Sequence, residues 1–383
     1  MALTRVGETL GGKWTIDRLV DVGGMASVFA ATHRNGKKVA IKMLHPFLAV
    51  QSDVRERFLR EGYVANQVDH PGALSVLDDD VTDDGLPFLV MELLEGRSME
   101  SWLTAAGGTL EVRDVLAIAD QVLSVLAAFH AAGVVHRDIK PGNLFVMTTG
   151  RIKVLDFGLA RLRSSKLAVS STAAGIVLGT ASYMPPEQAQ GKSDLLDARA
   201  DVFAVGAVMF RALTGRPVHD ASSVTERLVR AMKEKAPSLR DVSPRELPSG
   251  VAEVVDKALA FSRDDRWESA AAMRRGVRDV YMHIANDSTA APMQGQSPVL
   301  VNTQPPATDS PLQVTGLIAP PQVEGSLPVL EPSAVGMREW SEPSSQPRAP
   351  SAVPPPLPAR RSDALDADSR PGGDETEPTD ESE

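Results

Sequence analysis

Between residues 14 and 91 the apolar positions come in short runs rich in β-forming residues, at 15–20, 27–32, 38–44, 74–81 and 87–91. Runs of this length, separated by polar and turn-forming residues, predict a small antiparallel sheet. One segment breaks the pattern. Residues 53–68 open with Asp53 and set Val54, Phe58, Gly62 and Ala65 on one helical face, which predicts a single helix packed on that sheet. Beyond Gly96 the period lengthens: Val115, Ile118, Val122, Val125 and Phe129 recur at three- and four-residue spacing, the stripe of an amphipathic helix. Residues 200–213 are almost wholly apolar and predict a helix buried in the middle of a helical layer. Further helices are predicted at 223–234, 250–260 and 267–284. The fold class that follows is α+β and bilobal, a β-rich lobe with one helix joined to a larger α-helical lobe.

Composition changes sharply near residue 285. Of the 28 prolines, 18 lie in residues 285–383, together with 15 Asp/Glu, 5 Arg and no Lys, a net charge of −10. Such a stretch lacks the apolar surface to fold and predicts a disordered, Pro-rich acidic tail. The remainder is neutral overall and carries none of the basic excess of a nucleic-acid binder, so nucleic acid is excluded as the primary partner. With no cysteine, disulfides and thiolate chemistry are excluded and a reducing compartment is indicated. No apolar run is long enough for a signal peptide or a membrane span, so a cytoplasmic protein is expected.

Three blocks carry chemistry. Val39-Ala40-Ile41-Lys42 is followed by His136-Arg137-Asp138-Ile139-Lys140-Pro141-Gly142-Asn143 and then Asp156-Phe157-Gly158. Each alone is a weak signal, but the ordered set with these separations is specific. Residues 14–284 resemble a eukaryotic-like (Hanks-type) serine/threonine protein kinase of the kind found in bacteria. The resemblance implies an N-lobe at 14–91, a hinge at 92–95, a C-lobe at 96–284, and ATP with Mg2+ (or Mn2+) as cofactors.

Phosphoryl transfer depends on positioning and on neutralising phosphate charge. By the resemblance, Lys42 is the phosphate cation and Glu61, nine residues before His70-Pro71, pairs with it. Asp138 is the catalytic base, and Asn143 and Asp156 are the metal ligands, oxygen donors that suit a hard cation. Lys140 and Thr180 resemble the pair that distinguishes serine/threonine kinases from tyrosine kinases, so protein Ser/Thr hydroxyls are the expected acceptors. Val20, Val28, Ala40 and Phe145 are expected around adenine, with Met91 as gatekeeper and the backbone of Glu92 and Leu94 as hydrogen-bonding hinge.

The phosphate-covering loop departs from the family. Of G-x-G-x-x-G, only the central glycine, Gly23, remains; Asp21 and Ala26 occupy the outer positions. A carboxylate near a triphosphate and the loss of glycine's backbone freedom predict weaker ATP binding or slower turnover.

Residues 156–187 read as an activation loop, with Thr172, Ser171 and Ser170 as candidate autophosphorylation sites and Arg137 as the arginine that would pair with a loop phosphate. Glu187, in the place of the A-P-E glutamate, and Arg266 are implied to pair structurally. Asp201 is implied to bond the catalytic-loop backbone, although an acid in a helix's first turn is an equal reading of the residue. In the tail, Pro354–Pro358 before Arg360 and Arg361, together with Trp340, offer a place for partner binding. Two alternatives stay open: a catalytically weak pseudokinase scaffold, favoured by the altered glycine loop, and a small-molecule kinase of the same fold. The second lacks support because such enzymes do not carry the 179–187 docking signature.

Overall fold

Alternation along the first long strand sets the sheet, since Trp14 and Ile16 are buried where Thr15 and Asp17 face solvent. The computed structural model describes residues 2–157 and 180–290. In chain order the first lobe contains β1 (Thr9–Leu10), β2 (Trp14–Val22), β3 (Ala26–His33), β4 (Lys38–Leu44), α1 (Pro46–Ala49), α2 (Ser52–Ala65), β5 (Val76–Val81) and β6 (Pro87–Glu92). The six strands form one antiparallel sheet in the order β1-β2-β3-β4-β6-β5. The central strands β4 and β6 are buried along nearly their whole length. α2 covers one face. Its buried residues Val54, Phe58, Gly62 and Ala65 are the predicted stripe, and it ends at Ala65 rather than at residue 68.

After the sheet come β7 (Gly96–Ser98), α3 (Met99–Ala105), α4 (Val112–Ala131), β8 (Leu144–Met147), β9 (Ile152–Val154), α5 (Pro186–Ala189), α6 (Ala198–Thr214), α7 (Val224–Lys233), α8 (Leu239–Val242), α9 (Val251–Ala258) and α10 (Ala270–Ala290). α4 and α6 form the heart of this lobe, joined by α9 and α10 in one continuous apolar core. α6 is closed at both ends: the Asp197 side chain accepts from Arg199 N, and Gly215 takes the left-handed conformation at φ 78°. Inside α6, Gly206 lets α9 approach, because a Cβ there would lie 2.8 Å from Ala258 Cβ.

The two layers meet at residues 92–96. Gly96 is required by the closeness of β8, since a Cβ would fall 2.1 Å from Val146 O. Lys153 ties the lobes from below, donating to Ala73 O at 2.9 Å and to Glu92 Oε1 at 2.6 Å. Residues 158–179, with Thr172, Ser171 and Ser170, and the tail beyond 290 lie outside the described residues. α10 runs past residue 284 to Ala290.

Candidate active site

Lys42 and Ala40 share a face of β4 because strand side chains alternate. Opposite them on β6 stand Leu89 and Met91, and on β3 Val28 and Ala30. α2 brings Glu61 to the same face: Lys42 Nζ lies 2.8 Å from Glu61 Oε1 and 2.7 Å from Asp156 Oδ1. This placement depends on Gly62, where a Cβ would come within 2.9 Å of Leu89 Cδ2. Burial works against the charge of Lys42, but the carboxylates of Asp156 and Glu61 outweigh it and raise its pKa. Asp156 is only half-buried; desolvation opposes its charge, yet Lys42 holds its pKa below the usual carboxylate range. For Glu61 burial wins over Lys42, and its pKa is pushed up to about 7.

The loop after α4 carries the second group. Buried Asp201, at the start of α6, accepts hydrogen bonds from the backbone N–H of His136 at 2.8 Å and of Arg137 at 2.7 Å, and its Oδ2 lies 2.7 Å from His130 Nε2. Burial opposes that carboxylate's charge, but the hydrogen bond and charge of His130 prevail and lower its pKa. The clamp holds Arg137 at φ 66°, and Asp156 sits at φ 60°; they are the two non-glycine residues with positive φ among the described residues. Such backbone persists only where the surroundings over-determine it. His136 accepts from Asp138 N at its Nδ1 and donates from Nε2 to Leu155 O at 2.9 Å. Phe157 stacks on Phe129 at 3.7 Å and meets His136 edge-on at 4.6 Å, anchoring the chain beside Asp156 in the C-lobe core.

Asp138 Oδ2 lies 2.8 Å from Lys140 Nζ and 3.2 Å from Asn143 Nδ2, which also donates to Asp138 O at 2.8 Å. Asn143 O in turn accepts from Leu155 N at 2.9 Å, so the loop and the segment bearing Asp156 are stitched together. Because the Asn143 amide nitrogen faces Asp138, its side-chain oxygen is left to face elsewhere. The amide oxygen of Asn143 and the carboxylate of Asp156 are hard-oxygen donors of the chemistry that suits a divalent cation.

Of the expected adenine pocket, Ala40 and Met91 are buried, Val28, Leu94 and Phe145 are half-buried, and Val20 is 46 % exposed. Among the described residues neither the N–H nor the carbonyl of Leu94 has a hydrogen-bond partner, whereas Glu92 N donates to Ser75 O. The glycine-loop departures prove mild for the backbone. Asp21 lies in β2 opposite Val28, Ala26 opens β3, and no residue from 21 to 26 has positive φ. The Asp21 side chain is exposed and accepts from Val22 N. Glu187 and Arg266 meet in a buried two-pronged pair at 2.7 and 2.8 Å, with Arg266 also donating to the carbonyls of Ala260, Phe261 and Arg199. Thr180 begins a short 3-10 turn ending at Tyr183.

Sequence reasoning missed His130 beneath Asp201 and Lys153 beneath Glu92. It also missed buried Asp120, whose Oδ1 accepts from Arg274 at 2.8 Å and Arg278 at 2.6 Å. An acid in the middle of an apolar helical stretch was the available signal for Asp120.

This architecture and this cluster have counterparts among known proteins. The model of the protein kinase domain matches residues 14–277. The chain belongs to the protein kinase domain family. Among its curated relatives are the serine/threonine-protein kinase PrkC of Bacillus subtilis, 34 % identical over 72 % of this chain and 42 % of the relative, and PknA of Mycobacterium tuberculosis, 35 % identical over 72 % of this chain and 64 % of the relative. The crystal structure of the Mycobacterium tuberculosis PknI kinase domain superposes with a TM-score of 0.55 at 26 % identity, covering 72 % of this chain and 98 % of that one. The bilobal kinase fold expected from the sequence is thereby borne out. This kinase chain spans about two fifths of the length of the first curated relatives, 38 to 42 %. Among the described residues no helix is long and apolar enough to cross a membrane.

Proposed function

We propose that the chain is a protein serine/threonine kinase that moves the γ-phosphoryl group of ATP to Ser/Thr hydroxyls of protein substrates. The observation that carries this reading is the convergence of Lys42, Glu61 and Asp156 with Asp138, Lys140 and Asn143, two clusters joined by the Asn143–Leu155 backbone bond. Lys42, steered by Glu61, is suited to hold the phosphates. Asp156 and Asn143 would hold Mg2+, with Mn2+ as an alternative, and the ion would neutralise charge on the phosphates. Asp138 accepts the proton of the acceptor hydroxyl, and Lys140 balances charge on the transferring group. Val20, Gly23, Val28, Ala40, Met91 and Phe145 enclose the nucleotide, and the backbones of Glu92 and Leu94 read adenine.

Thr180 fits the serine/threonine preference, and autophosphorylation at Thr172, Ser171 or Ser170, read out by Arg137, would raise activity within cytoplasmic signalling. The domain is taken as 14–284, with residues 285–383 serving partner binding. The test is steady-state transfer from Mg-ATP to a generic Ser/Thr acceptor protein beside Asp138→Asn and Lys42→Met. Transfer by the parent alone supports the reading; equal transfer by all three, or none by the parent, rejects it.

A further inference from the structure

The phosphate-covering loop has lost two of its three glycines, yet its tip is tied down by a residue outside the kinase blocks. His45 follows β4 directly, where Leu44 pairs with Ala26 at the start of β3. Its backbone N–H donates to Met25 O at 2.9 Å, and its ring Nε2 lies 2.8 Å from Gly23 O. A carbonyl can only accept, so the ring nitrogen is the donor. His45 itself is held by its own neighbours. It caps α1 with extended backbone (φ −67°, ψ 142°) before Pro46, its carbonyl accepts from Leu48 N and Ala49 N, and its ring stacks on Phe47 at 5.6 Å. Gly23 N in turn donates to Ala26 O at 2.9 Å, closing the neck of the loop.

The peptide unit is planar and trans, so fixing the Gly23 carbonyl toward His45 points the next N–H, that of Gly24, the opposite way. Among the described residues that N–H has no partner. We propose that His45 is a positioning residue for ATP: it latches the Gly23–Gly24 peptide so that Gly24 N–H is presented to the nucleotide phosphates. The latch supplies, by a side chain, part of the loop order that this chain's altered glycine pattern does not specify. This rests on the reading above that ATP occupies the cleft.

The experiment uses the full chain and compares the parent with His45→Ala and His45→Gln, the glutamine keeping an N–H donor of similar reach. Loss of one ordinary hydrogen bond predicts a KM for ATP about three- to tenfold higher in His45→Ala, with kcat within about twofold and melting temperature lowered by no more than about 4 °C. His45→Gln is expected to recover most of that loss. An unchanged KM in His45→Ala, no recovery in His45→Gln, or a joint fall of kcat and melting temperature beyond those limits overturns the proposal. Calorimetric binding of Mg-ATP to the same three proteins separates it from the reading of function. Should the parent transfer no phosphate, weaker binding in His45→Ala with recovery in His45→Gln still supports the latch. Equal dissociation constants, or no binding by the parent, overturn it.

Discussion

Lys42 stands between two carboxylates, and the three groups answer differently to burial. The amine and Asp156 reinforce one another, whereas Glu61 keeps a pKa near 7. A carboxyl whose folded pKa lies above its unfolded value of 4.5 contributes stability below about pH 4.5 and loses it as pH rises through about 7. Glu61→Gln removes that slope. Denaturant titrations at pH 5 and pH 8 should therefore show the parent losing stability relative to the variant on going to the higher pH; a parallel response would reject the assignment. At Asp138 the expectation is kinetic. Asp138→Asn should cut kcat by ~10²- to 10⁴-fold with an unchanged melting temperature. The identities of these residues were legible through the ordered motif blocks and the family resemblance that those blocks carry. The positive φ of Arg137 and Asp156 was not, since neither is a glycine and even aspartate, a type enriched in such backbone, adopts it at only a small fraction of its positions.

At the scale of elements, α2 matters because it carries Glu61, and its distance from the sheet is set by Gly62 against Leu89 and Val76. Gly62→Ala would press a Cβ against the end of the Leu89 side chain, an overpacking cost of about 1–3 kcal/mol that about 1 kcal/mol of helix propensity partly offsets. Activity should fall more than stability alone explains, seen as a lower kcat in protein that is still folded by circular dichroism. The pair Glu187–Arg266 holds α5 against the loop before α10, and Glu187→Ala leaves a buried guanidinium uncompensated, a loss of about 3–5 kcal/mol measurable by chemical denaturation. Long elements with a clear period, α2 and α4, or with a nearly unbroken apolar run, β4, β6 and α6, could be read from the sequence. The strands β7, β8 and β9, at three or four residues each, are too short to show a period. α3 was missed for a related reason: its seven residues lie between Gly96 and the Gly107–Gly108 turn, and its Ser98 cap is an unremarkable serine in sequence.

Across the whole molecule, the cleft is built where two lobes of different construction meet, and the ties between them among the described residues include Lys42 to Asp156, Lys153 to Ala73 and Glu92, and Val154 N to Gly72 O at 2.9 Å. The change of composition near residue 285 gave the expected domain boundary, which α10 crosses to reach Ala290, and the pattern of strands before helices marked the order of the lobes. The lobes' junction was legible only through resemblance, because no periodic signal crosses residues 92–96. A chain truncated after Ala290 should keep its melting temperature and its kcat/KM on an acceptor protein within about twofold, since among the described residues the apolar core extends no further than Ile284.

Intact-mass measurement and phosphosite mapping of the full chain, dephosphorylated and then incubated with Mg-ATP beside Asp138→Asn, test the central claim most directly. The account predicts added phosphate in the parent, located at Thr172, Ser171 or Ser170, and none in the variant. Equal phosphate on both proteins, or none on the parent even with an acceptor protein present, would contradict it.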